Sequence, residues 1–281
     1  MPFDPGVSAS AVNVDAIVPP DPTLSVVIPT RNEAHGVLAL MRRVAPALDG
    51  LSHELIFVDD SDDGTEAVIE GLAASEYPQV RIVHRPAGHR DGGLSGAVIA
   101  GFEGARGEYV AVMDADLQHP PELLTALVDK ARERGADLVV ASRYAGDGSA
   151  AGLADPTRRL VSRGTAVFAR LLFSERILRV TDPASGFFLL RRSLLDDAIL
   201  RPIGYKILLE VLLRTRWRTF AEVPYRFSER EADTSKASLQ QGLLFLQHCL
   251  RLLREVPSAG LVWKIAGVVV VCGVAIRLIT R

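Results

Sequence analysis

The chain has 281 residues, 48% of them hydrophobic and 23% charged, and a formal net charge of −2. This composition supplies a sizeable core, and a nearly neutral balance gives no support to nucleic-acid binding, so no nucleic-acid partner is expected. The two cysteines, Cys249 and Cys272, lie in apolar stretches with neither a disulfide framework nor metal-ligand spacing, which fits a reducing compartment.

Residues 1–23 are rich in Pro, Ala, Val and Asp and lack a basic n-region and a continuous apolar core, so they read as a disordered leader and not a signal peptide. Apolar runs then alternate with helical segments. Strands are expected at Leu24–Ile28, Glu54–Val58, Val80–Val83, Tyr109–Met113 and Asp137–Ala141. Helices are expected at Asn32–Leu48, Gly64–Ser75, Gly93–Arg106 and Pro121–Gly135. Continuous apolar strands alternating with helices predict an α/β fold with a mostly parallel sheet covered on both faces. Such sheets bind ligands beyond the carboxyl ends of their strands.

Those ends are polar. The first carries Pro29-Thr30-Arg31-Asn32-Glu33 and the second Asp59-Asp60-Ser61-Asp62-Asp63. The fourth carries Asp114-Ala115-Asp116 followed by Gln118, and the fifth Ser142-Arg143-Tyr144. Three acidic ends lining one crevice repel each other unless a cation or hydrogen-bond donors balance them. Mg²⁺ and Mn²⁺ take carboxylate and amide oxygens and share coordination with substrate phosphates, which makes Asp114, Asp116 and Gln118 the candidate metal ligands. Neither a Gly-x-x-x-x-Gly-Lys-Ser/Thr loop nor a Gly-x-Gly-x-x-Gly turn after the first strand is present, which argues against a P-loop NTPase and a classical dehydrogenase. Gly92-Gly93-Leu94-Ser95-Gly96 opens a helix and reads equally as a phosphate approach or as close helix–sheet packing. Beyond the fifth strand, Arg143, Arg158, Arg159, Ser162 and Arg163 form a basic cluster, and guanidinium groups bind phosphate with paired hydrogen bonds.

From Leu24 to about Lys236 these motifs, in this order, resemble glycosyltransferase family 2 enzymes of GT-A fold, in particular the polyprenyl-phosphate glycosyltransferases. The resemblance implies a GT-A domain over 24–236. It implies that Pro29, Thr30, Arg31, Glu33, Asp59 and Asp60 line the nucleotide pocket, with Asp60 on the base. Asp114, Ala115, Asp116 and Gln118 would form the metal and diphosphate site, with Asp116 catalytic. Arg143, Arg158, Ser162 and Arg163 would hold a lipid phosphate, Arg143 also acting in catalysis. The stretch Asp182-Pro183-Ala184-Ser185-Gly186-Phe187 matches the family pattern. Glu210 falls where the family carries a carboxylate facing the sugar, an ion pair with Arg214 being the alternative. Arg230 and Lys236 would close over the diphosphate. The implied reaction moves a sugar, mannose or glucose, from a GDP- or UDP-sugar to a polyprenyl monophosphate. It is metal-dependent, inverts the anomeric carbon, and takes place at a membrane with the catalytic domain on the cytoplasmic face. A soluble transferase with a non-lipid acceptor and a catalytically dead binding scaffold are the competing readings.

Residues 237–257 form an amphipathic pattern that suits either a membrane interface or core packing. The segment 258–281 is apolar, with Lys264 and Arg277 near its ends, and is read as a membrane-spanning helix. A chain that ends so soon after one hydrophobic segment leaves room for an additional membrane domain or subunit.

Overall fold

The structure, a computed structural model, describes residues 22–152, 156–201, 203–228 and 239–256. The predicted leader up to residue 21 and the predicted membrane segment lie outside these residues. No helix among the described residues is long and apolar enough to cross a membrane.

Seven strands form one sheet: β1 Leu24–Thr30, β2 His53–Asp59, β3 Val80–His84, β4 Tyr109–Val112, β5 Leu138–Ser142, β6 Phe188–Arg191 and β7 Phe220–Pro224, in the spatial order β3-β2-β1-β4-β6-β5-β7. The five expected strands are all present. β6 and β7 are additions. β6 runs antiparallel to both β4 and β5, whereas the pairs β1–β2, β1–β4, β2–β3 and β5–β7 are parallel.

Residues alternate between the two faces, so each strand feeds two cores. Val26 and Ile28 face α1 Val37–Ala47, α2 Thr65–Ser75 and α4 Leu123–Arg134. Val27, Ile56, Val110 and Val112 face α3 Gly93–Gly104, α5 Pro156–Leu172, α6 Ser174–Ile177, α7 Ile207–Arg214 and α8 Leu239–Glu255. Helix α3 lies so close to β1 that a Cβ on Gly101 would stand 2.3 Å from Val27 Cγ1, which explains the glycine.

The C-terminal amphipathic pattern resolves toward core packing. Phe245, Cys249, Leu252, Leu253 and Val256 of α8 and the segment after it are buried against α7 and the sheet. The described part of this segment thus packs on the core while leaving Leu243 exposed. An uncovered apolar stripe lies instead on α5 and just beyond α6, where Leu160, Val161, Val167, Leu171 and Leu178 are exposed.

Candidate active site

The second strand end is closed on itself. Asp59 is fully buried and accepts hydrogen bonds from Thr30 Oγ1 (2.8 Å), Ser61 Oγ (2.5 Å) and His84 Nδ1 (3.0 Å). Asp60 is gripped by the Arg85 fork, with Nε at 2.7 Å and Nη2 at 2.5 Å. Arg90 forks onto Asp62 at 2.7 and 2.8 Å and lowers its pKa chiefly through that hydrogen bond. Asp63 Oδ1 accepts from the backbone N–H and hydroxyl of Thr65 at the start of α2. The acidic repulsion expected here is thus relieved by Arg85, Arg90 and His84. The polar atoms of Thr30, Asp59 and Asp60 bind one another and Arg85, and the three residues stand in the wall of the crevice. Pro29 lies in β1 beside Val58. Arg31 is exposed at the rim and Glu33 is half-buried beside it.

The fourth strand end is different. β4 stops at Val112 and the chain turns through Asp114, Ala115, Asp116 and Leu117. Leu117 adopts φ +63°, a left-handed conformation that costs energy for a branched residue. Ala115 and Leu117 are buried in the core, which turns Asp114 and Asp116, alternating with them, toward the crevice. Asp116 Oδ1 accepts the Gln118 N–H (3.1 Å), and Gln118 Nε2 donates to Ser228 O (3.0 Å), fixing the amide so that its oxygen points the other way. The Asp114 side chain is 34% exposed. Its backbone N–H donates to His119 Nδ1 at 3.1 Å. His119 is buried against Phe187, Tyr225 and Phe227, and burial pushes its pKa down to about 4, so it is a neutral support. A Cβ on Gly186 would lie 3.1 Å from Asp114 Oδ2, so the glycine keeps that carboxylate's space open. Two carboxylates and an oriented amide oxygen are a hard donor set, and they fit Mg²⁺ or Mn²⁺. Among the described residues no group of three His, Cys, Asp or Glu is arranged to hold a metal ion, and the Gln118 amide stands beside the two carboxylates as a further oxygen donor.

Two cations complete the crevice. Arg143 forks onto fully buried Asp182 at 2.7 and 2.8 Å. Burial opposes its charge, but the Asp182 bonds outweigh burial and raise its pKa. Since Nε and Nη2 are held by Asp182, Nη1 is the nitrogen left to meet a ligand. Lys206, just before α7, donates from Nζ to Ala184 O (3.0 Å), within electrostatic reach of Asp114, Asp182 and Arg143. Burial of its ammonium, then repulsion by Arg143, lowers its pKa to about 8. Sequence reasoning missed Lys206, Arg85, Arg90 and His119 as site residues. The signal for Lys206 was its place after Gly204, whose φ of +80° makes the turn into α7.

In the basic cluster beyond β5, Tyr144 Oη donates to Ser162 Oγ (2.8 Å), tying α5 to the end of β5. Arg163 is exposed and lines a cavity of about 140 Å³ with Tyr144, Ala166, Val167, Arg170 and Thr181. The side chain of Arg158, and all of Arg230 and Lys236, lie outside the described residues.

Glu210 is not in the crevice. It is fully buried, with Oε2 at 2.6 Å from His248 Nε2, and with Oε1 accepting from Arg201 N (2.7 Å) and Arg214 Nε (2.5 Å). Both of its oxygens hold α7 to its surroundings, and the Arg214 ion pair named as the alternative is present.

A family model described as "Glycosyl transferase family 2" matches residues 25–198. The chain belongs to glycosyltransferase family 2. Among relatives, the dolichol-phosphate mannosyltransferase of Pyrococcus furiosus is 38% identical, over 82% of this chain and 64% of that protein. The chain thus spans less than two thirds of that relative's length. The polyprenol monophosphomannose synthase of Mycolicibacterium smegmatis is 36% identical, over 79% of this chain and 84% of the relative. Among solved structures, glucosyl-3-phosphoglycerate synthase of Mycobacterium tuberculosis, in complex with Mn²⁺, UDP and glucosyl-3-phosphoglycerate, superposes with a TM-score of 0.61. It covers 85% of this chain and 82% of that one at 23% identity, a likeness of fold.

Proposed function

We propose that this family 2 glycosyltransferase moves a mannose from a nucleotide-diphosphate sugar to a polyprenyl monophosphate, with inversion at the anomeric carbon. The observation that carries the reading is the pairing, in one crevice, of an oxygen donor set at Asp114, Asp116 and Gln118 with the cations Arg143 and Lys206. One suits a metal-bound diphosphate and the others suit phosphate oxygens. The mannosyl and polyprenyl assignments draw on relatives named for them at 34–38% identity.

Asp114, Asp116 and Gln118 would hold Mg²⁺ or Mn²⁺, and the ion supplies neutralisation of the departing diphosphate. The wall built by Asp59, Asp60, Arg85 and Arg90 shapes the nucleotide end of the crevice, with Arg31 and Glu33 at its rim. Lys206 supplies a second positive charge against developing negative charge on the leaving group. Arg143, held rigid by Asp182, presents Nη1 to the acceptor phosphate, and Ser162 and Tyr144 join α5 to that position. The attacking phosphate oxygen is already ionised at neutral pH, so no strong general base is required, which agrees with the withdrawal of Glu210 from the crevice.

The exposed stripe of α5 and the exposed Leu178 supply an apolar surface beside Arg163 and Arg170. An amphipathic helix of this kind lies in a membrane interface, where the acceptor is found.

The test is transfer of label from GDP-mannose, UDP-glucose and related donors into an organic-extractable lipid, with and without Mn²⁺. Label in a base-stable, acid-labile lipid product supports the proposal. Label confined to water-soluble products with phosphoglycerate or sugar acceptors would replace the lipid acceptor with a soluble one.

A further inference from the structure

Helix α7 is almost uniformly apolar. Ile207, Leu208, Leu209, Val211, Leu212 and Leu213 are all buried, on every side of the helix. Apolar contacts are non-directional and leave the rotation and axial place of such a helix weakly specified. The directional group is Glu210, and its three partners come from three segments: Arg201 N before the helix, Arg214 Nε at its end and His248 Nε2 on α8. Burial opposes the Glu210 charge, but the His248 bond and the other partners hold its pKa below the usual carboxylate value, so it is ionised and His248 must donate from Nε2. His248 Nδ1 is buried and has no hydrogen-bond partner among the described residues. Arg214 continues the junction outward to Glu255, which Arg251 also binds at 3.2 Å.

A buried carboxylate with a half-satisfied histidine is a costly way to join two helices that apolar side chains could join. Its geometric consequence lies one turn away. Lys206 directly precedes α7, its ammonium reaches Ala184 O, and Gly204 before it accepts the backbone N–H of Ser95 on α3. Rotating or sliding α7 by a fraction of a turn carries Lys206 off that position.

We infer that His248 is a positioning residue for sugar transfer: by bonding Glu210 it fixes the rotation and axial place of α7, and thereby the place of the Lys206 ammonium in the crevice. The inference rests on reading that crevice as the transfer site. It also makes α8, which leads into the apolar stretch Ala259–Ile279, part of the machinery that orders the site.

The experiment compares His248→Leu and His248→Gln in the full chain. The leucine keeps the volume and removes the donor, whereas the glutamine amide can still donate to Glu210. For His248→Leu, kcat falls about tenfold, the KM for nucleotide sugar stays within about twofold, and amide exchange in residues 207–214 accelerates. His248→Gln returns kcat to within about threefold of the parent and restores slow exchange. A lower Tm with unchanged kcat for His248→Leu would show a purely structural bond and overturn the inference, as would glutamine and leucine variants of equal kcat. Arg214→Gln loosens the junction from its solvent side and covers the case in which His248→Leu does not fold. It is expected to lower kcat about threefold, and an unchanged kcat would count against the junction. A parent chain that transfers no sugar from any donor would refute the transfer reading, while unchanged exchange in His248→Leu would refute the junction independently.

Discussion

Asp182→Asn is the sharpest test of how the crevice is built. The substitution keeps the side-chain volume and one oxygen able to accept the Arg143 backbone N–H, which now binds Oδ2 at 3.3 Å. It removes the charge that balances a guanidinium only 8% exposed. Breaking a buried ion pair from one side costs about 3–5 kcal/mol, because the remaining charge is left uncompensated. Here the cost belongs toward the upper end, since Lys206 stands near Arg143 and loses the same counter-charge. With a urea slope of about 3 kcal/mol per molar, the unfolding midpoint should drop by about 1–2 M. The companion variant Arg143→Met with Asp182→Asn carries no buried charge at this position. It should recover at least about half of the lost stability while leaving transfer abolished, because the phosphate-facing nitrogen is gone. Urea unfolding followed by circular dichroism, with transfer assays on the same samples, separates the two effects. A loss below about 1 kcal/mol for Asp182→Asn, or a double variant no more stable than the single, would refute the claim that this pair is an internally balanced charge site.

Lys206 predicts a pH limb. Its folded pKa of about 8 lies below its ordinary value of 10.5, so the ammonium that faces the leaving group is lost as pH rises through about 8, and transfer should fall over that range. Lys206→Met should remove the limb at a lower overall rate. The same shift makes the unfolded state bind more protons between about 8 and 10.5, so stability measured by denaturation should rise across that window, the opposite direction to activity. Gly186→Ala places a methyl 3.1 Å from Asp114 Oδ2 and from His119 Cε1, and calorimetry should find Mn²⁺ affinity down about tenfold with a stability loss below about 2 kcal/mol. Leu160→Ser combined with Leu171→Ser alters residues 73% and 66% exposed, so stability should change by under about 0.5 kcal/mol per site. The KM for a polyprenyl phosphate in liposomes should nevertheless rise about fivefold or more, since each leucine buried in an interface contributes about 1.5–3 kcal/mol. An unchanged KM would remove α5 from the membrane surface.

Strands β1 to β5 were legible because each is a continuous apolar run followed by polar residues, and that pattern is local. β6 and β7 were not. Phe188–Arg191 pairs antiparallel with strands far away in sequence, and Phe220–Pro224 is a half-exposed edge whose alternation is weak. The polar turn Asp114–Gln118 could be read directly because its oxygen-bearing side chains are contained in five residues. The internal partners of Asp59 and Asp60 were not legible, because Thr30, His84 and Arg85 are supplied 25–29 residues away. Glu210 shows the same limit. Its spacing to Arg214 was visible, but a helix apolar on all sides gives no sign of which side faces ligand, and the deciding partner, His248, is 38 residues on.

The reversed strand β6 has a consequence for how such enzymes diverge. Because β6 runs opposite to β5, the chain leaves the sheet at Ser142 and re-enters at Phe188 on the same rim. Everything between, including α5, α6 and the Tyr144–Arg163 cavity, is a single excursion with neighbouring endpoints. Parallel connections must cross the whole sheet, but this one can lengthen, shorten or be replaced without changing any strand register. On the proposed function, the half assigned to the acceptor is an exchangeable module on the frame assigned to the donor, clipped in place by Arg143–Asp182. A graft of residues 144–181 between relatives should carry acceptor choice with it while leaving nucleotide preference behind.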